Sequence, residues 1–327
     1  MTRLLAFFAS LSVLVVACGG GTAAPSPSVP KTTLEIAYAD DPSREALLWG
    51  ITHGKVTSSS VEVTVKFLPL AQIIPAANTK QFDAIEATPL AVARTAGGEP
   101  GFLILSSGLR NGLGTALVTG KASPIVSPAG LKGKTIAVAS LGGTFVLEAR
   151  YVLQKKYGLN TDLKTGDVKF SETPQEAVPQ LLKEGRLDAA VTTQLLTYRL
   201  KDSPDHRVLS ELTREFAELA GNKSINSIVV TYRDKAATRG KALGELQRML
   251  ADSLAYLRAN RDAVLAEVAA ARKLDPAYLA WFFQAYELRA GPVSETDKAE
   301  IRASWEAAKL VGDAATVPNI EDVLFKP

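Results

Sequence analysis

Two parts of this 327-residue chain repeat the same series of strand and helix signals, and this repetition constrains the fold more than any other feature. In each part, apolar residues alternate with period two, as in strands, between segments of helical spacing. The segments FDAIEAT (82–88) and LDAAVTT (187–193) both follow a helix signal and precede a polar turn. We therefore predict an α/β fold with two lobes, each a mostly parallel sheet with helices on both faces.

Local signals place several element boundaries. Leu34, Ile36 and Tyr38 alternate with their neighbours and would share one face of a strand. Asp41 before a proline is a typical helix N-cap. Gly54 is the predicted stop of that helix. Thr173 and Glu176 have the spacing of a capping box, which predicts a helix that begins after Thr173. Asp83 and its counterpart Asp188 precede their strands, so we interpret both as structural turn residues.

The carboxyl-terminal part of the chain, from Arg239 onward, is predicted to be nearly all helix, because four segments there show a 3.6-residue period. An aromatic cluster lies within it. We expect this cluster to pack against a lobe, since aromatic side chains more often fill cores than hold cofactors. Its members are Tyr278, Trp281, Phe282, Phe283 and Tyr286.

The amino terminus has the composition of a secretory signal. Arg3 gives a positive start, and residues 4–17 are uncharged but too few for a membrane span, which needs about 20 apolar residues. Cys18, the only cysteine, follows directly. A single thiol excludes an internal disulfide framework and a zinc site built on several thiolates. Residues 19–30 are rich in glycine, serine and proline, as flexible tethers are.

The composition excludes several function classes. The net charge is only +3, which gives no support to nucleic-acid binding through a basic face. The two histidines, His53 and His206, lie far apart and form no metal signature. No Ser-His-Asp or Cys-His order is recognisable. We therefore expect no catalytic residues, no metal and no cofactor.

Three segments resemble a known family. They are GLKGKTIAVASLGGTFVLEARYVLQKKYGL (130–159), TPQEAVPQLLKEGRLDAAVTT (173–193) and LAYLRANRDAV (254–264). They look like the substrate-binding proteins of ABC importers of the sulfonate/nitrate/taurine and thiamine-pyrimidine type. The resemblance implies the type II periplasmic-binding-protein fold, in which a double-crossover hinge joins two Rossmann-like lobes with mixed, mostly parallel sheets. It also implies a small-molecule ligand, a membrane permease as partner and, in our interpretation, a monomer.

The segment before Cys18 resembles a bacterial lipoprotein signal. The resemblance implies cleavage after residue 17, diacylglycerol on the Cys18 sulfur and an acylated, for example palmitoylated, new amino terminus. It places the protein outside the cytoplasm, anchored to a membrane by lipid. The alternative is an ordinary signal peptide with an incidental cysteine.

We predict four regions from these observations. Residues 1–17 are the signal peptide, and residues 18–31 are the lipidated cysteine and tether. Residues 32–114 together with 227–327 form the first lobe and the C-terminal helices, and residues 115–226 form the second lobe. The hinges are predicted near residues 112–115 and 226–229.

The ligand site follows from the expected topology. In open α/β sheets, ligands bind beyond the carboxyl ends of the strands, and two facing lobes bring those ends together. The candidate ligand-binding residues are Asp40, Asp41, Glu86, Thr88, Ser107, Ser140, Gly142, Gly143, Thr144, Glu172, Thr192, Thr193 and Gln194.

Two chemistries are predicted within this set. Gly142, Gly143 and Thr144 lead into a helix whose first N–H groups favour an oxyanion or a carbonyl oxygen. Asp40 and Glu86 offer acceptors for an amine, an amidine or a ring N–H. Because relatives that bind sulfonate or nitrate are expected to have neutral donors after the first and third strands, Asp40, Asp41 and Glu86 argue against a plain inorganic or sulfonate anion.

The sequence thus predicts an ABC-importer binding lipoprotein that captures a sulfonate-, pyrimidine- or heterocycle-like molecule and delivers it to a permease. Two alternatives stay open. One is an enzyme on the same fold, similar to menaquinone- or thiamine-pathway enzymes, although the cysteine-rich motif of the thiamine-pyrimidine synthase is missing here. The other is a lipoprotein that senses the ligand for a partner.

Overall fold

The computed structural model describes residues 30–95, 98–111 and 114–327. The predicted signal peptide, Cys18 and nearly all of the predicted tether lie outside the described residues, as does the start of the first predicted hinge. Within the described part, residues 31–327 form one compact unit.

The first sheet has five strands in the order β2-β1-β3-β11-β4. These strands are β1 (Thr32–Ala39), β2 (Val61–Leu68), β3 (Ala84–Ala87), β4 (Phe102–Ser107) and β11 (Ile228–Tyr232). β1 pairs in parallel with β2 and β3, whereas β11 is antiparallel to both of its neighbours. The helices between the strands are α1 (Pro42–Thr52), α2 (Leu70–Asn78) and α3 (Pro89–Arg94).

The second sheet has the same plan, with the order β10-β6-β9-β7-β8. Its strands are β6 (Leu117–Gly120), β7 (Thr135–Val138), β8 (Lys169–Glu172), β9 (Ala189–Val191) and β10 (His206–Ser210). β7 is parallel to β8 and β9, and β6 is antiparallel to β9 and β10. Its helices are α4 (Thr144–Tyr157), α5 (Val178–Lys183), α6 (Gln194–Leu200) and α7 (Leu212–Ala220). These mixed sheets confirm the predicted α/β fold class.

The internal repeat has a structural basis. Asp83 lies before β3, and its carboxylate accepts a hydrogen bond from the N–H of Glu35 in β1 (2.9 Å). Asp188 lies before β9 and accepts from the N–H of Thr135 in β7 (2.9 Å). Each aspartate thus fixes the register of a parallel strand pair at its amino end. The two residues are structural, as the sequence predicted.

The remaining chain is mostly helical. It contains α8 (Arg233–Ala259), α9 (Arg261–Arg272), α10 (Pro276–Ala285) and α11 (Glu295–Leu310). α8 begins six residues before the predicted start at Arg239. Non-helical backbone angles at Arg239 (φ −127°, ψ 18°) interrupt the helix. The aromatic cluster around α10 packs into the apolar core of the first sheet with α1 and α8, as predicted.

One predicted helix start is wrong. α5 begins at Val178 rather than after Thr173, and the predicted capping box does not form. Residues 174–177 form turns instead, in which the N–H of Ala177 donates to the carbonyl of Pro174 (3.1 Å). Pro179 is compatible with this later start, because the N–H that proline lacks has no intrahelical partner at the beginning of a helix.

α11 connects the two halves of the fold. Its Trp305 is fully buried in a core that includes residues of both sheets. The indole N–H donates to the carbonyl of Pro89 at the start of α3 (2.7 Å). α11 also packs against α4 of the second sheet. A single helix is therefore shared by both cores.

The chain crosses twice between the sheets, and the two crossing segments pair with each other. The first crossing begins with β5 (Leu109–Asn111), directly after the first sheet. β12 (Tyr286–Leu288), from the C-terminal part of the chain, pairs with β5 in an antiparallel ladder. The N–H of Asn226, in the second crossing, donates to the carbonyl of Leu109 (2.7 Å). A side chain at Gly108 would lie 2.5 Å from the Ser227 carbonyl, so the close approach requires glycine.

Glu148 of α4 is completely buried beside these crossings. Its carboxylate accepts hydrogen bonds from Asn111 Nδ2 (2.7 Å), Thr213 Oγ1 (3.2 Å) and Ser224 Oγ. Within the described parts of the chain, no cation pairs with it. Burial therefore raises the pKa of Glu148 above its usual value, although the hydrogen bonds oppose this.

A candidate ligand cleft between the two sheets

A cavity of about 90 Å³ lies where the carboxyl ends of strands from both sheets meet. Eight of the thirteen predicted ligand residues line it: Glu86, Thr88, Ser140, Gly142, Gly143, Thr144, Thr193 and Gln194. Small-molecule pockets usually have about 300–1,000 Å³, so in this conformation the cavity is suited to a compact ligand.

The amino end of α4 is the most distinctive wall of the cavity. Gly143 is the N-cap and provides no side-chain hydrogen bond to the first turn. A Cβ at Gly143 would lie 2.4 Å from the Phe145 ring, and one at Gly142 would lie 2.9 Å from Ile74 Cδ1. The backbone at both glycines therefore lies close against the Phe145 and Ile74 side chains, which would have to shift to admit a Cβ. The helix presents N–H groups and the positive end of its dipole to the cavity.

Residues with hydroxyl groups line the same cavity. Thr193 is the N-cap of α6, and its side chain makes no capping hydrogen bond. Thr144 Oγ1 donates to the carbonyl of Asn226 (2.9 Å), and Thr88 Oγ1 caps α3 by accepting from the N–H of Ala91 (3.3 Å). Ser140 Oγ accepts from the N–H of Gly142 (3.4 Å). These groups are neutral and can serve as donors or acceptors.

Gln194 connects the second sheet to the first across the cavity. Its backbone N–H donates to the Tyr286 hydroxyl (3.2 Å). With its amide in the orientation that satisfies both ends, its side chain donates to Asp41 Oδ2 (3.1 Å) and accepts from Arg44 Nη1 (3.3 Å). Its φ of 39° is left-handed, which is unfavourable by about 1–3 kcal/mol for a residue with a side chain. These contacts offset that strain.

Glu86 lies in the cavity wall, but it is bound to Arg44. Nε and Nη2 of Arg44 donate to Glu86 Oε1 (2.9 and 2.7 Å), and the N–H of Ala39 donates to Oε2 (3.0 Å). Burial alone would raise the pKa of Glu86, but Arg44 and the hydrogen bonds from Ser227 and Ala39 hold it below its usual value. The expected role as acceptor for a ligand amine is therefore replaced by an internal ion pair.

Asp40 and Asp41 lie outside this cavity, at a neighbouring cavity of about 430 Å³ between α1 and α6. Asp40 pairs with Arg272 (2.6 Å). Asp41 is the N-cap of α1, as predicted, and accepts from the N–H of Ser43 (2.8 Å). Because all three acidic groups near the cleft have internal partners, the sequence argument against an anionic ligand loses its basis.

Three predicted residues bind other parts of the protein instead. Ser107 is buried and donates to Asp297 Oδ2 (2.7 Å), because β4 ends against the start of α11. Thr192 is buried and donates to the carbonyl of Ala116 (3.2 Å). Glu172 ends the edge strand β8 and accepts from the N–H of Leu141 (2.8 Å). Glu172 thereby holds the loop that leads to Gly142.

Sequence reasoning missed several residues that line the cavity. Thr115, Asn226 and Ser227 belong to the crossing segments, which have no strand-end signal. Tyr286 comes from the helical tail and reaches the cleft because Gly114 leaves room for its ring. The apolar part of the wall comes from helices: Leu70, Ile73, Ile74 and Phe145.

Electrostatically, the cavity suits an anion. Among the described residues that line it, Glu86 is the only charged side chain, and Arg44 compensates its charge. Within the described lining, no free carboxylate opposes the partial positive charge of the α4 terminus; Glu172, which accepts from the N–H of Leu141, lies outside the lining.

Comparisons with known proteins agree with this description. Residues 59–219 match the family described as ABC transporter, phosphonate, periplasmic substrate-binding protein. The fold and this match identify the chain as an ABC-type substrate-binding protein with the periplasmic-binding fold, which confirms the resemblance predicted from the sequence. The family implies an extracytoplasmic location. No helix in the described part of the chain is long and apolar enough to cross a membrane.

Three solved structures share the fold. The periplasmic aliphatic sulphonate binding protein SsuA from Escherichia coli has a TM-score of 0.69 and 15% identity, covering 91% of this chain and 98% of its own. SsuA from Xanthomonas axonopodis pv. citri bound to MOPS has a TM-score of 0.67 and 18% identity, covering 92% and 98%. The desulfurization enzyme DSZB has a TM-score of 0.59 and 14% identity, covering 89% and 96%. No curated protein matches this sequence.

Proposed function

We propose that the protein captures a compact organic oxyanion of the phosphonate or sulfonate class and delivers it to a membrane permease. The observation that carries this proposal is the amino end of α4, which has no side-chain cap and lines the same cavity as Thr193, whose hydroxyl makes no capping hydrogen bond. Backbone N–H groups and hydroxyls can bind an oxyanion there without a nearby cation. The phosphonate description of the matched family supports the same ligand class.

Capture requires the two halves to separate and close. In our proposal, residues 32–114 and 227–327 form one lobe, residues 115–226 form the other, and the paired crossings act as the hinge. The contacts of Gln194 with Tyr286, Asp41 and Arg44 then belong to the closed form. Docking of the closed protein on the permease completes the cycle.

Binding, rather than catalysis, fits the composition of the cavity. Its described lining has no histidine, cysteine or lysine, and its one carboxylate is held by Arg44. A sensory role would use the same cleft. Ligand-dependent uptake that requires a permease would support transport over sensing, and a chemically altered ligand after incubation would instead support an enzyme.

We also propose that Cys18 carries the lipid that anchors the protein outside the cytoplasm. The support is its position as the single cysteine after an uncharged segment. Dual or triple acylation anchors firmly, because each buried methylene contributes about 0.8 kcal/mol. Palmitate labelling should be lost in Cys18→Ser; labelling that persists would contradict the anchor.

The ligand class is tested by calorimetry of the purified protein with methylphosphonate, methanesulfonate and neutral thymine. We expect either oxyanion to bind and thymine not to bind. Thr193→Val keeps the side-chain shape but removes the hydroxyl, so it should weaken binding about 10- to 100-fold, as for a lost hydrogen bond to a charged group.

Thr238→Val is the matched control, because Thr238 is exposed on α8 and does not line the cavity. It should leave affinity unchanged. Binding of thymine in place of both oxyanions would refute the proposed ligand class. Equal affinity of the Thr193→Val variant and the unchanged protein would refute the site.

A further inference from the structure

A second cavity lies on the hinge side of the molecule, next to the paired strands β5 and β12. It has a volume of about 340 Å³, within the usual range of about 300–1,000 Å³ for small-molecule sites. The ends of α8 and α10 and the start of α9 complete its walls. No function described above uses this cavity.

The inner wall of this hinge-side cavity is apolar. Leu254 and Leu257 of α8 and Leu288 of β12 are buried there, and the partly buried ring of Phe283 lies beside them. Only the faces of these side chains that line the cavity remain accessible, and an aliphatic or aromatic group of a ligand would cover them. Covering apolar surface in this way favours binding through the hydrophobic effect.

Cations surround the apolar wall. Lys223, Arg258 and Arg261 line the cavity and, within the described residues, form no ion pair. The Arg261 guanidinium lies 5.4 Å from the centre of the Phe283 ring, and Arg258 Nη2 donates to the carbonyl of Leu288 (3.5 Å). Both side chains are thus held at the edge of the cavity rather than extended away from it.

The acidic group in the cavity does not cancel these charges. Glu287 accepts from Arg110 Nη1 (2.8 Å) and pairs with Arg289 (3.1 Å). Arg110 is in turn paired with Glu300. Three cations therefore remain around an apolar surface, and their shared field attracts an anion.

We propose that this hinge-side cavity is a second binding site, which takes a small organic carboxylate with an apolar ring. The ring contacts Leu254, Leu257 and Phe283, and the carboxylate lies among the three cations. An inorganic anion would leave the apolar wall in water, and a neutral ring would leave the cations without a partner. The site is separate from the cleft, although Tyr286 lines both cavities.

Calorimetry of the purified protein at low salt tests this site with benzoate, its neutral analogue benzamide, and inorganic phosphate. We expect one benzoate per chain, no measurable binding of benzamide, and no displacement of benzoate by phosphate. The double variant Arg258→Gln, Arg261→Gln should weaken benzoate binding about 2- to 30-fold, since each of the two lost ion pairs contributes about 0.2–1 kcal/mol. Both side chains are exposed, so the fold should tolerate the changes.

Two controls locate the site. Arg214→Gln removes an exposed cation of α7 that does not line the cavity, and it should not change benzoate affinity. Thr193→Val alters the cleft and should also leave benzoate binding unchanged, so this result is independent of the proposed oxyanion function. Absence of benzoate binding, displacement by phosphate, equal binding to the double variant, or loss of binding in Thr193→Val would each overturn the proposal.

Discussion

The buried pair of Arg44 and Glu86 gives the most quantitative prediction. Both side chains are 6% exposed, and two arginine nitrogens lie within 2.9 Å of the same carboxylate oxygen. Glu86→Gln keeps the size of the side chain and the acceptor for the N–H of Ala39, but it removes the charge. Arg44 then stays buried with only Asp41, 3.6 Å away, as a charged partner.

The expected loss of stability is large. Removing one partner of a buried ion pair usually destabilises a protein by about 3–5 kcal/mol, because the other charge stays buried without compensation. The remaining Asp41 places this case near the lower value of about 3 kcal/mol. With a urea slope of about 2–3 kcal/mol/M, the unfolding midpoint should fall by about 1–1.5 M.

Urea unfolding followed by circular dichroism measures this difference. Glu99→Gln is the matched control, because Glu99 pairs with Lys80 at 2.9 Å but is 86% exposed. Exposed pairs contribute about 0–1 kcal/mol, so this variant should differ little from the unchanged protein. If Glu86→Gln also lowers the free energy of unfolding by less than about 1 kcal/mol but abolishes ligand binding, Glu86 is a ligand group. The interpretation of Glu86 as a partner of a buried ion pair would then be wrong.

The pH dependence adds an independent check. The pKa of Glu86 is lowered in the folded protein, so the ionised Glu86 side chain stabilises the fold fully at pH values above its unfolded pKa of about 4.3. It is lost as the pH falls through the lower folded pKa. The stability gap between the unchanged protein and Glu86→Gln should therefore be complete at neutral pH and narrow only in acid.

Two further predictions concern the hinge. Gly114→Ala places a methyl group 1.9 Å from the Tyr286 ring, so the ring must move. We therefore expect the variant to bind methylphosphonate more weakly, as measured by calorimetry. Unchanged affinity would refute the requirement for glycine at this position. The pKa of Glu148 is raised in the folded protein, so the folded state holds the Glu148 proton more tightly than the unfolded state. The stability of the fold should therefore decline as the pH rises from the unfolded pKa of about 4.3 through the folded pKa. Glu148→Gln should flatten this decline in urea unfolding; an unaltered slope would mean that another group causes it.

Much of the fold was predictable because its signals are local. The alternation of residues 34–38, the Asp41 cap and the stop at Gly54 depend only on neighbours in sequence, and each is confirmed. The similarity around Asp83 and Asp188 likewise predicted two sheets of one design. The predicted capping box at Thr173 failed because turn geometry at residues 174–177 competed with the helix.

The cavity was only partly predictable. Gly142, Gly143 and Thr193 stand at strand ends, where topology alone brings them to the cleft. The pairing of Glu86 with Arg44 was not predictable, because nothing in the sequence connects the two residues, which lie 42 positions apart. Such pairing depends on the packing of α1 against the end of β3.

By itself, the sequence determined the α/β class, the repeated sheet design, the helical tail and the glycine-rich entry to α4. These features follow from residue periodicity and backbone preference, which act over a few positions. Only the tertiary structure decided which charges are free, which hydroxyls face the cleft, and that Tyr286 lines it. The physical reason is that the partners of a charge or a hydroxyl are set by contacts between residues far apart in the chain, and these contacts decide its pKa and its availability to a ligand.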